Sequence, residues 1–586
     1  MLTMMVAGCV PECMPEGKGF ATVQLAIRNA IREFGQECKA SSGNLRLLAG
    51  ISTRVDVETA GIAADEGLCL HLLAPGIPSA LTETQSIAER QVWLGAESVD
   101  LETDEPCALR DELALGFSDV LLAVWDGSIA EGVKWETSRL VLRAALAMKP
   151  IIWVDLTGAI RVFERITLTQ EKRHLLQCPC PSHQILMGCF SGPFDAAGVK
   201  SRLQQIVSGA TSEPDSQTSG SDISPGKSHA GTVHKVMMAL VQGRFGKALG
   251  SLAASSVQAY RGPAWVASQG LISPTPVLDS QFDRADIAAT IAAGKHRSSA
   301  WISFIASTMA VFAAIAGAIN LWVGDHGAFW AVLELTLIAL VVGLLWRAKD
   351  QQWHGTWIGN RFIAEQLRYT RMGLPLLALT KSLLEPSLYV IPGGVGGPKI
   401  GILSRDLRVF QHSVTRLGLP VPPGDRLYIA ATAESLPRLR DYVFSVVEDQ
   451  IGYHEQNHHE QHVTQHVLHT FSLVLFCLTG AAVVGHFFLH ASWLLIFTAF
   501  LPALAAGIHG LTTTLEISRV AVQSKATAES LRHLSEAIKA SLPEELSTWR
   551  QWVQLRHLTL LAEEIMSDEN SQWQKLVTHQ KPKLPA

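Results

Sequence analysis

Two long stretches of this chain carry no charged side chain, and they constrain its fold more than any other feature. No Asp, Glu, Lys or Arg occurs between Arg297 and Asp325, and none occurs in residues 461–515. A second apolar segment follows Asp325 and is interrupted by Glu334. A helix needs about 20 apolar residues to cross a bilayer, and buried helices of soluble proteins rarely run so long without charge. With a break near residues 486–492, the sequence predicts four transmembrane helices arranged as two hairpins.

Basic residues predict the orientation of these hairpins. They flank the apolar segments and are absent from the two short hairpin tips. The positive-inside rule therefore places the flanks, both termini and the middle segment in the cytoplasm. Charged residues make up 17% of the chain, below the roughly 25% usual for soluble proteins, which favours a lipid membrane as a partner. A net charge of -5 without a basic stripe gives no indication of nucleic-acid binding.

The two hairpins look like copies of one unit. Residues 361–368 and 525–532 both read basic-x-x-Ala-Glu-x-Leu-Arg. The sequence offset between these two motifs also relates Ser298 to His462, near the start of the first and third spans. We interpret this as a duplicated unit of two spans and one cytoplasmic helix.

The same offset pairs two polar residues inside predicted spans, Glu334 and Thr498. An intramembrane carboxylate commonly lines a water path or pairs within a helix bundle. Both residues are candidate pore-lining positions, and a polar contact near the outer membrane interface is the alternative for Glu334.

Residues 1–208 alternate between short apolar runs and helical patterns. This alternation predicts an α/β domain with a parallel sheet, whose ligands bind at the carboxyl ends of strands near helix N-termini. The candidate ligand-binding residues follow predicted strands or open predicted helices. They are Gly8, Gly50, Thr53, Asp56, Asp126, Gly127, Gly132, Glu136 and Thr137.

The strand that ends in Trp125-Asp-Gly127 carries a family resemblance. It resembles the SLOG superfamily, a Rossmann-like group in which such a strand precedes a glycine-containing turn and a Thr that opens a helix. Asp126, Gly127, Gly132 and Thr137 match that plan, although residues 134–136 replace the usual paired glycines. The resemblance implies nucleotide sensing. The Pro-Gly-Gly-x-Gly-Thr motif of the catalytic members is absent, so we do not expect a phosphoribohydrolase, and a domain that binds no small ligand is the alternative.

The duplicated hairpin unit resembles the SLATT domains, two-helix membrane domains that are predicted pore-formers beside bacterial nucleotide-signalling sensors. Together the two resemblances imply a membrane effector of a bacterial anti-phage defence system. Such a protein is expected in the inner membrane as a homo-oligomer. It senses a nucleotide-derived second messenger, such as an NAD derivative, and forms a pore or disrupts the membrane to stop the infected cell.

The predicted architecture is an α/β Rossmann-like N-terminal domain followed by an all-α membrane domain. Its parts are a ligand-sensing domain (1–208), a flexible linker (209–231), amphipathic connecting helices (232–284), the first hairpin with its helix (285–380), an insertion (381–450), the second hairpin with its helix (451–545) and a C-terminal helix and tail (546–586).

A histidine-rich segment leaves a second functional class open. His454-Glu455-x-x-His458 matches the zincin pattern, and His462 lies one further turn along a helix. The alternatives to a sensor–effector are therefore a membrane zinc metalloprotease, with these histidines as ligands, and a ligand-independent ion channel or scaffold. A polar helix leading into the third span also explains the segment, and we do not expect zinc as a cofactor.

Overall fold

The structure, a computed structural model, describes most of the chain. The described residues are 1–8, 18–40, 45–50, 54–76, 88–95, 104–128, 137–147, 149–163, 183–190, 192–193, 195–198, 227–229, 231–250, 255–256, 258–262, 268–319, 327–379, 411–489, 493–494, 496–543 and 546–579.

Eight strands of the N-terminal part and one strand from much later in the chain form a nine-stranded mixed sheet. Its strands are Leu2–Gly8 (β1), Leu45–Ala49 (β2), Cys69–Ala74 (β3), Arg90–Gly95 (β4), Val120–Val124 (β5), Ile151–Val154 (β6), Ile160–Val162 (β7), Gly192–Pro193 (β8) and Leu427–Ala431 (β9). They lie in the order β9-β4-β3-β2-β1-β5-β6-β7-β8. All neighbours are parallel except β6–β7 and β7–β8, which are antiparallel. The central strands β2 and β5 are buried along their whole length, as expected for a parallel sheet covered on both faces.

Helices cover both faces of the sheet. They are Lys18–Ala40 (α1), Arg54–Asp65 (α2), Asp104–Gly116 (α3), Thr137–Leu146 (α4) and His183–Met187 (α5). Successive side chains of a strand point to opposite faces, so Met4 and Val6 pack in one apolar cluster with α1 and α2. Met5 and Ala7 pack in a second cluster, which also contains residues of the helical part described next.

Apart from an antiparallel pairing of Lys227–Ser228 with Ser255–Ser256, the regular elements of the rest of the described chain are helices. Its helices are Thr232–Val241 (α6), Phe245–Gly250 (α7), Pro276–Ala318 (α8), Gly327–Asp350 (α9), Trp353–Gly373 (α10), Ser435–Leu489 (α11), Leu501–Thr514 (α12), Ile517–Ala540 (α13) and Thr548–His579 (α14), with a π-helical turn at Ile496–Phe500 before α12. Four helical segments are long and apolar enough to cross a membrane. They belong to α8, α9, α11 and the continuous stretch from Ile496 to Ala540, which confirms the four predicted membrane-length segments.

The sequence offset between the two hairpin units recurs in the backbone. Helices α9 and α12 end at Asp350 and Thr514, and α10 and α13 each begin three residues later. Between them lie Gln352 and Glu516, with left-handed φ values of 48° and 53°. A non-glycine residue in this region costs on the order of 1–3 kcal/mol, so the same costly kink occurs at matching positions of both hairpin units.

The sheet extends beyond the predicted sensing domain. Strand β9 belongs to the predicted insertion 381–450 and pairs in parallel with β4, from Leu427 opposite Gln91 to Ala431 opposite Gly95. The predicted boundary at residue 208 therefore does not enclose the whole sheet. The strand is short and lies far along the chain from its partner, so nothing in the local pattern indicates the pairing.

Strand β9 leads almost directly into a membrane-length helix. Thr432 and Ser435 close the first turn of α11 reciprocally: the N–H of Ser435 donates to Oγ1 of Thr432 at 3.0 Å, and the N–H of Thr432 donates to Oγ of Ser435 at 3.1 Å. This is the hydrogen-bond pattern of a capping box. Helix α11 then runs for 55 residues and includes the third candidate span.

Parts of the predicted segments fall outside the described residues. These include the first hairpin tip at 325–326 and most of the predicted linker 209–231.

Candidate functional site: the carboxyl edge of the sheet and the opposite docking edge

Gly8 and Thr137 meet at the carboxyl end of β1. The hydroxyl of Thr137, the first residue of α4, donates to the carbonyl of Gly8 at 2.8 Å. A Cβ on Gly8 would overlap the side chain of Val55 at the start of α2. Glycine at this position therefore lets the first turns of two helices approach the end of β1.

Gly50, which follows β2, lies against a buried charge cluster. A Cβ on Gly50 would lie 2.6 Å from Nη1 of Arg110 and 2.7 Å from Oδ2 of Asp56. Nη1 of Arg110 is 3.5 Å from that Asp56 oxygen, and Nε of Arg110 donates to Oδ1 of Asp111 at 2.7 Å. All three side chains are buried. A charged cluster this deeply buried at the end of a strand is typical of functional sites as well as of structural ion-pair networks.

Arg110 and Asp111 of this cluster were not among the residues predicted from the sequence, and Arg110 lies at its centre. Burial lowers its pKa, but the carboxylates of Asp111 and Asp56 outweigh burial and raise the pKa above its usual range. Its Nη1 atom is buried without a hydrogen-bond partner among the described residues. In the sequence, Arg110-Asp111 looks like an ordinary charged pair on the exposed face of a helix. No sequence pattern distinguishes this buried pair from a solvent-exposed pair.

Asp126 and Gly127 form a tight turn after β5. Oδ1 of Asp126 accepts from the N–H of Ser128 at 2.9 Å, and Gly127 has a φ of 88°. The indole N–H of Trp125 donates to the carbonyl of Ser128 at 2.7 Å, and that of Trp153 donates to the carbonyl of Trp125 at 2.8 Å. The two indoles therefore fix the turn, while the carboxylate of Asp126 stays exposed.

These residues lie at one edge of the sheet because β2, β1 and β5 are adjacent and parallel. The structure joins Gly8 to Thr137 and brings Asp56 against Gly50. Thr53, Gly132 and Glu136 lie outside the described residues.

The two polar residues of the predicted spans occur on different helices. Glu334 is half-buried on α9, on the same helix face as the buried Val341. Thr498 lies within the π-helical turn Ile496–Phe500. Helix α8 packs against both α9 and the π-helical turn.

The predicted zinc ligands point to different partners. His454 is buried, and burial lowers its pKa to about 4, while His462 is exposed. Nδ1 of His458 lies 2.8 Å from the carbonyl oxygen of Ala521, and Glu455, the base expected in a zincin, is ion-paired with Arg532. Across the described part of the chain, the one group of three possible metal ligands lies elsewhere and includes none of these histidines.

That group is Cys69, His71 and Glu89, at the amino ends of β3 and β4. The thiol of Cys69 donates to Glu89 at 2.5 Å, and burial raises its pKa to about 11. Burial lowers the pKa of His71, and the neighbouring guanidinium groups of Arg46 and Arg90 lower it further. Two adjacent positive charges and a protonated thiol disfavour a divalent cation at this position.

The same two arginines bind the segment 411–421, which precedes β9. Nη1 of Arg46 donates to the carbonyls of Thr415 and Arg416 at 3.3 and 3.2 Å. Nη1 of Arg90 donates to the carbonyls of Leu417 and Leu419 at 3.1 and 2.9 Å. We call this segment the docking segment, because it covers the amino edge of the sheet, opposite the candidate ligand-binding edge.

Asp119 fixes the docking segment from the amino end of β5. Its carboxylate accepts from the hydroxyl of Thr415 at 2.6 Å, from Nδ1 of His412 at 3.0 Å and from the N–H of Thr3 at 2.9 Å. Burial raises the pKa of Asp119, but these hydrogen bonds outweigh burial and leave the pKa below its usual value. No sequence pattern marks Asp119, because its partners in the docking segment lie far along the chain from it.

Comparison with known proteins returns no match of significance to any protein-family model, curated protein or solved structure.

Proposed function

We propose that this protein is a ligand-gated membrane effector. In this account, the sheet domain binds a nucleotide-derived small molecule at its carboxyl edge, and binding shifts an oligomeric bundle of membrane helices towards a permeable state. The observation that carries the proposal is the direct continuity between strand β9 and helix α11. A strand of the candidate sensing sheet ends at Ala431, and a membrane-length helix begins at Ser435.

This continuity provides a mechanical path. The capping box between Thr432 and Ser435 fixes the angle at which α11 leaves the sheet. The docking segment, which precedes β9, is held on the sheet by Arg46, Arg90 and Asp119. A rearrangement of the sheet is therefore transmitted to the third span without passing through a long unstructured connection.

Further helices connect the sheet with the spans. Phe282 of α8, Leu374 after α10 and Trp552 of α14 are buried in the same apolar cluster as sheet residues Leu48 and Leu121. Close-packed interiors transmit strain, because their side chains interdigitate with few voids. Helix α8 itself continues into the first span, so both hairpin units are tied to the sheet.

The proposed ligand class rests on the chemistry of the carboxyl edge. Helices α1, α2 and α4 begin at this edge, where their N-termini favour phosphate groups. These features, together with the SLOG resemblance, favour a nucleotide-derived ligand such as an NAD derivative.

The proposed oligomer follows from the exposure of the spans. Only 6% of the most apolar window of α9 and 11% of that of α11 are buried within one chain. Four helices enclose little lumen, so a path lined by Glu334 and Thr498 requires further copies of the chain. By resemblance to SLATT domains, this assembly acts in a bacterial inner membrane, with both termini in the cytoplasm, and stops a phage-infected cell.

The proposal is tested with the full-length protein in liposomes loaded with a fluorescent dye. The probes are NAD and ADP-ribose, with binding measured by calorimetry and permeability by dye release. We expect binding and ligand-dependent release from the wild type, and loss of both in Asp126→Ala. Asp155→Ala is the matched control, because Asp155 closes a similar turn after β6 through Thr157 and Ala159.

The outcomes separate the alternatives. Release that is equal with and without the probes would indicate a ligand-independent channel. Absence of binding by both probes would contradict sensing of NAD-derived nucleotides. Equal loss in Asp126→Ala and Asp155→Ala would show that turn stability, and not the Asp126 position, controls the response.

A further inference from the structure

Helix α6 contacts both α8 and α11, the first helices of the two hairpin units. The contacts lie near the residues at which the charge-free runs of these helices begin. His234 of α6 accepts from the indole N–H of Trp301 on α8, with 3.2 Å between the nitrogen atoms. At its other end, Gln242 donates to the hydroxyl of Thr464 on α11 at 3.1 Å. Trp301 and Thr464 each lie within four residues of the start of an uncharged run.

The next residues place this bridge at the boundary between water and hydrocarbon. Arg244 forms an ion pair of 3.1 Å with Glu460, the last charged residue before the third span. Val241, three residues earlier, packs against the apolar cluster of Leu468 and Leu501 inside the candidate spans. The segment therefore has its apolar contacts on the membrane side and its charged contact on the water side.

Residues 231–250 have an exposed surface that is both apolar and basic. Phe245 is 67% exposed and Leu240 is 40% exposed. Lys235 and Lys247 are also exposed. Residues 231–250 contain three basic side chains, Lys235, Arg244 and Lys247, and no Asp or Glu, and an interfacial helix with this composition binds anionic membranes.

We propose that residues 231–250 lie in the bilayer surface and bind the headgroups of anionic phospholipids. Arg244 and Lys247 contact the headgroup phosphate, and Phe245 enters the boundary between headgroups and acyl chains. This inference requires that the candidate spans cross a bilayer, and it is independent of what the sheet domain binds.

The position of the segment gives lipid binding a consequence for the assembly. Because α6 contacts α8 and α11, a headgroup bound beside it stabilises the contact between the two hairpin units. Anionic lipid therefore favours one arrangement of the two units over others, in proportion to its differential affinity for that arrangement.

The test compares the full-length protein in nanodiscs of phosphatidylcholine with the same protein in nanodiscs that also contain phosphatidylglycerol. Amide hydrogen exchange of residues 231–250 is measured, and native mass spectrometry counts the phosphatidylglycerol retained. We expect slower exchange and retained phosphatidylglycerol in the mixed bilayer. The double variant Arg244→Gln, Lys247→Gln should bind this lipid roughly 10- to 30-fold more weakly, at about 1 kcal/mol per basic residue.

Matched variants and a soluble competitor keep the test specific. Lys525→Gln removes a basic side chain that is 62% exposed on α13, and it should retain the lipid as the wild type does. Phe245→Trp should preserve the slower exchange, and Phe245→Asp should abolish it. Soluble glycerol phosphate should have no effect. Equal exchange in both bilayers, or equal lipid loss in the Lys525 and Arg244/Lys247 variants, would overturn the proposal.

Discussion

The substitution Asp119→Ala tests the attachment of the docking segment to the sheet. It removes the acceptor of three hydrogen bonds, of 2.6, 2.9 and 3.0 Å, from Thr415, Thr3 and His412. Removing one partner of a buried charged network costs about 3–5 kcal/mol, because the remaining groups are left buried and unpaired. This corresponds to a factor of roughly 150 to 5,000 in the equilibrium for local opening.

The assay is amide hydrogen exchange of the full-length protein, read at residues 411–421. Exchange there should accelerate by this factor in Asp119→Ala, and less in Asp119→Asn, which keeps an acceptor oxygen. The control is Asp65→Asn, whose carboxylate is 59% exposed and paired with Arg28, so its loss should cost less than about 1 kcal/mol. Unchanged exchange at 411–421 in Asp119→Ala would refute the assignment of Asp119 as the anchor.

The pH dependence of the same contact has a definite sign. The folded-state pKa of Asp119 lies below its unfolded value of about 3.9, so the ionised form is favoured by folding. The stabilisation is therefore fully present above about pH 4 and is lost as the pH falls through the lowered folded-state value. In Asp119→Ala this acid-dependent loss should be absent, as measured by exchange or by thermal unfolding at successive pH values.

Three further predictions concern other parts of the molecule. Glu365→Gln should lower the free energy of unfolding by about 3 kcal/mol, because Glu365 is a buried ion-pair partner, whereas the repeat-related Glu529→Gln, at an exposed pair, should cost less than about 1 kcal/mol in denaturant titrations. Gly50→Ala should destabilise the folded protein by about 1–3 kcal/mol, because the new Cβ would overlap the side chains of Arg110 and Asp56. Gly35→Ala is the control and should be neutral or stabilising, because the nearest side-chain atom to its Cβ would lie at 3.7 Å. Equal effects of the two substitutions on the free energy of unfolding would contradict the close contact at Gly50. Burial lowers the pKa of Lys149 to about 8, so stability should rise between pH 8 and about 10.4, and Lys149→Met should lack that rise.

The sequence predicted those features that depend on local pattern. Charge-free runs identified the membrane-length helices, and the alternation of short apolar runs with helical patterns in residues 1–208 indicated a parallel sheet, as strands β1, β2, β3, β5 and β6 form. Strand β9 was not predicted, because so short a strand gains its stability from pairing with β4, which lies much earlier in the chain. Pairing at that separation leaves no periodicity for a single sequence to display.

Only some residues of the candidate site were predicted from the sequence. Gly8 ends β1, and Gly50 and Asp126 follow β2 and β5, so their place at one edge follows from the parallel order of these strands. Arg110 and Asp119 were missed because a charged residue in a helix or before a strand is usually solvated, and burial is decided by distant partners. Glu365 and Glu529 occupy the same position in the two copies of the motif, yet Glu365 forms a buried ion pair and Glu529 an exposed one. The motif alone therefore does not predict burial.

The most direct test of the account measures dye release from liposomes that contain the full-length protein, as a function of bound ADP-ribose. Release should rise with occupancy in the wild type. Asp119→Ala should bind ADP-ribose with unchanged affinity, since Asp119 lies at the opposite edge of the sheet, but its release should stay at the basal rate. Release that ignores the ligand, or an Asp119→Ala protein that responds as the wild type does, would contradict control of the membrane helices by the sheet.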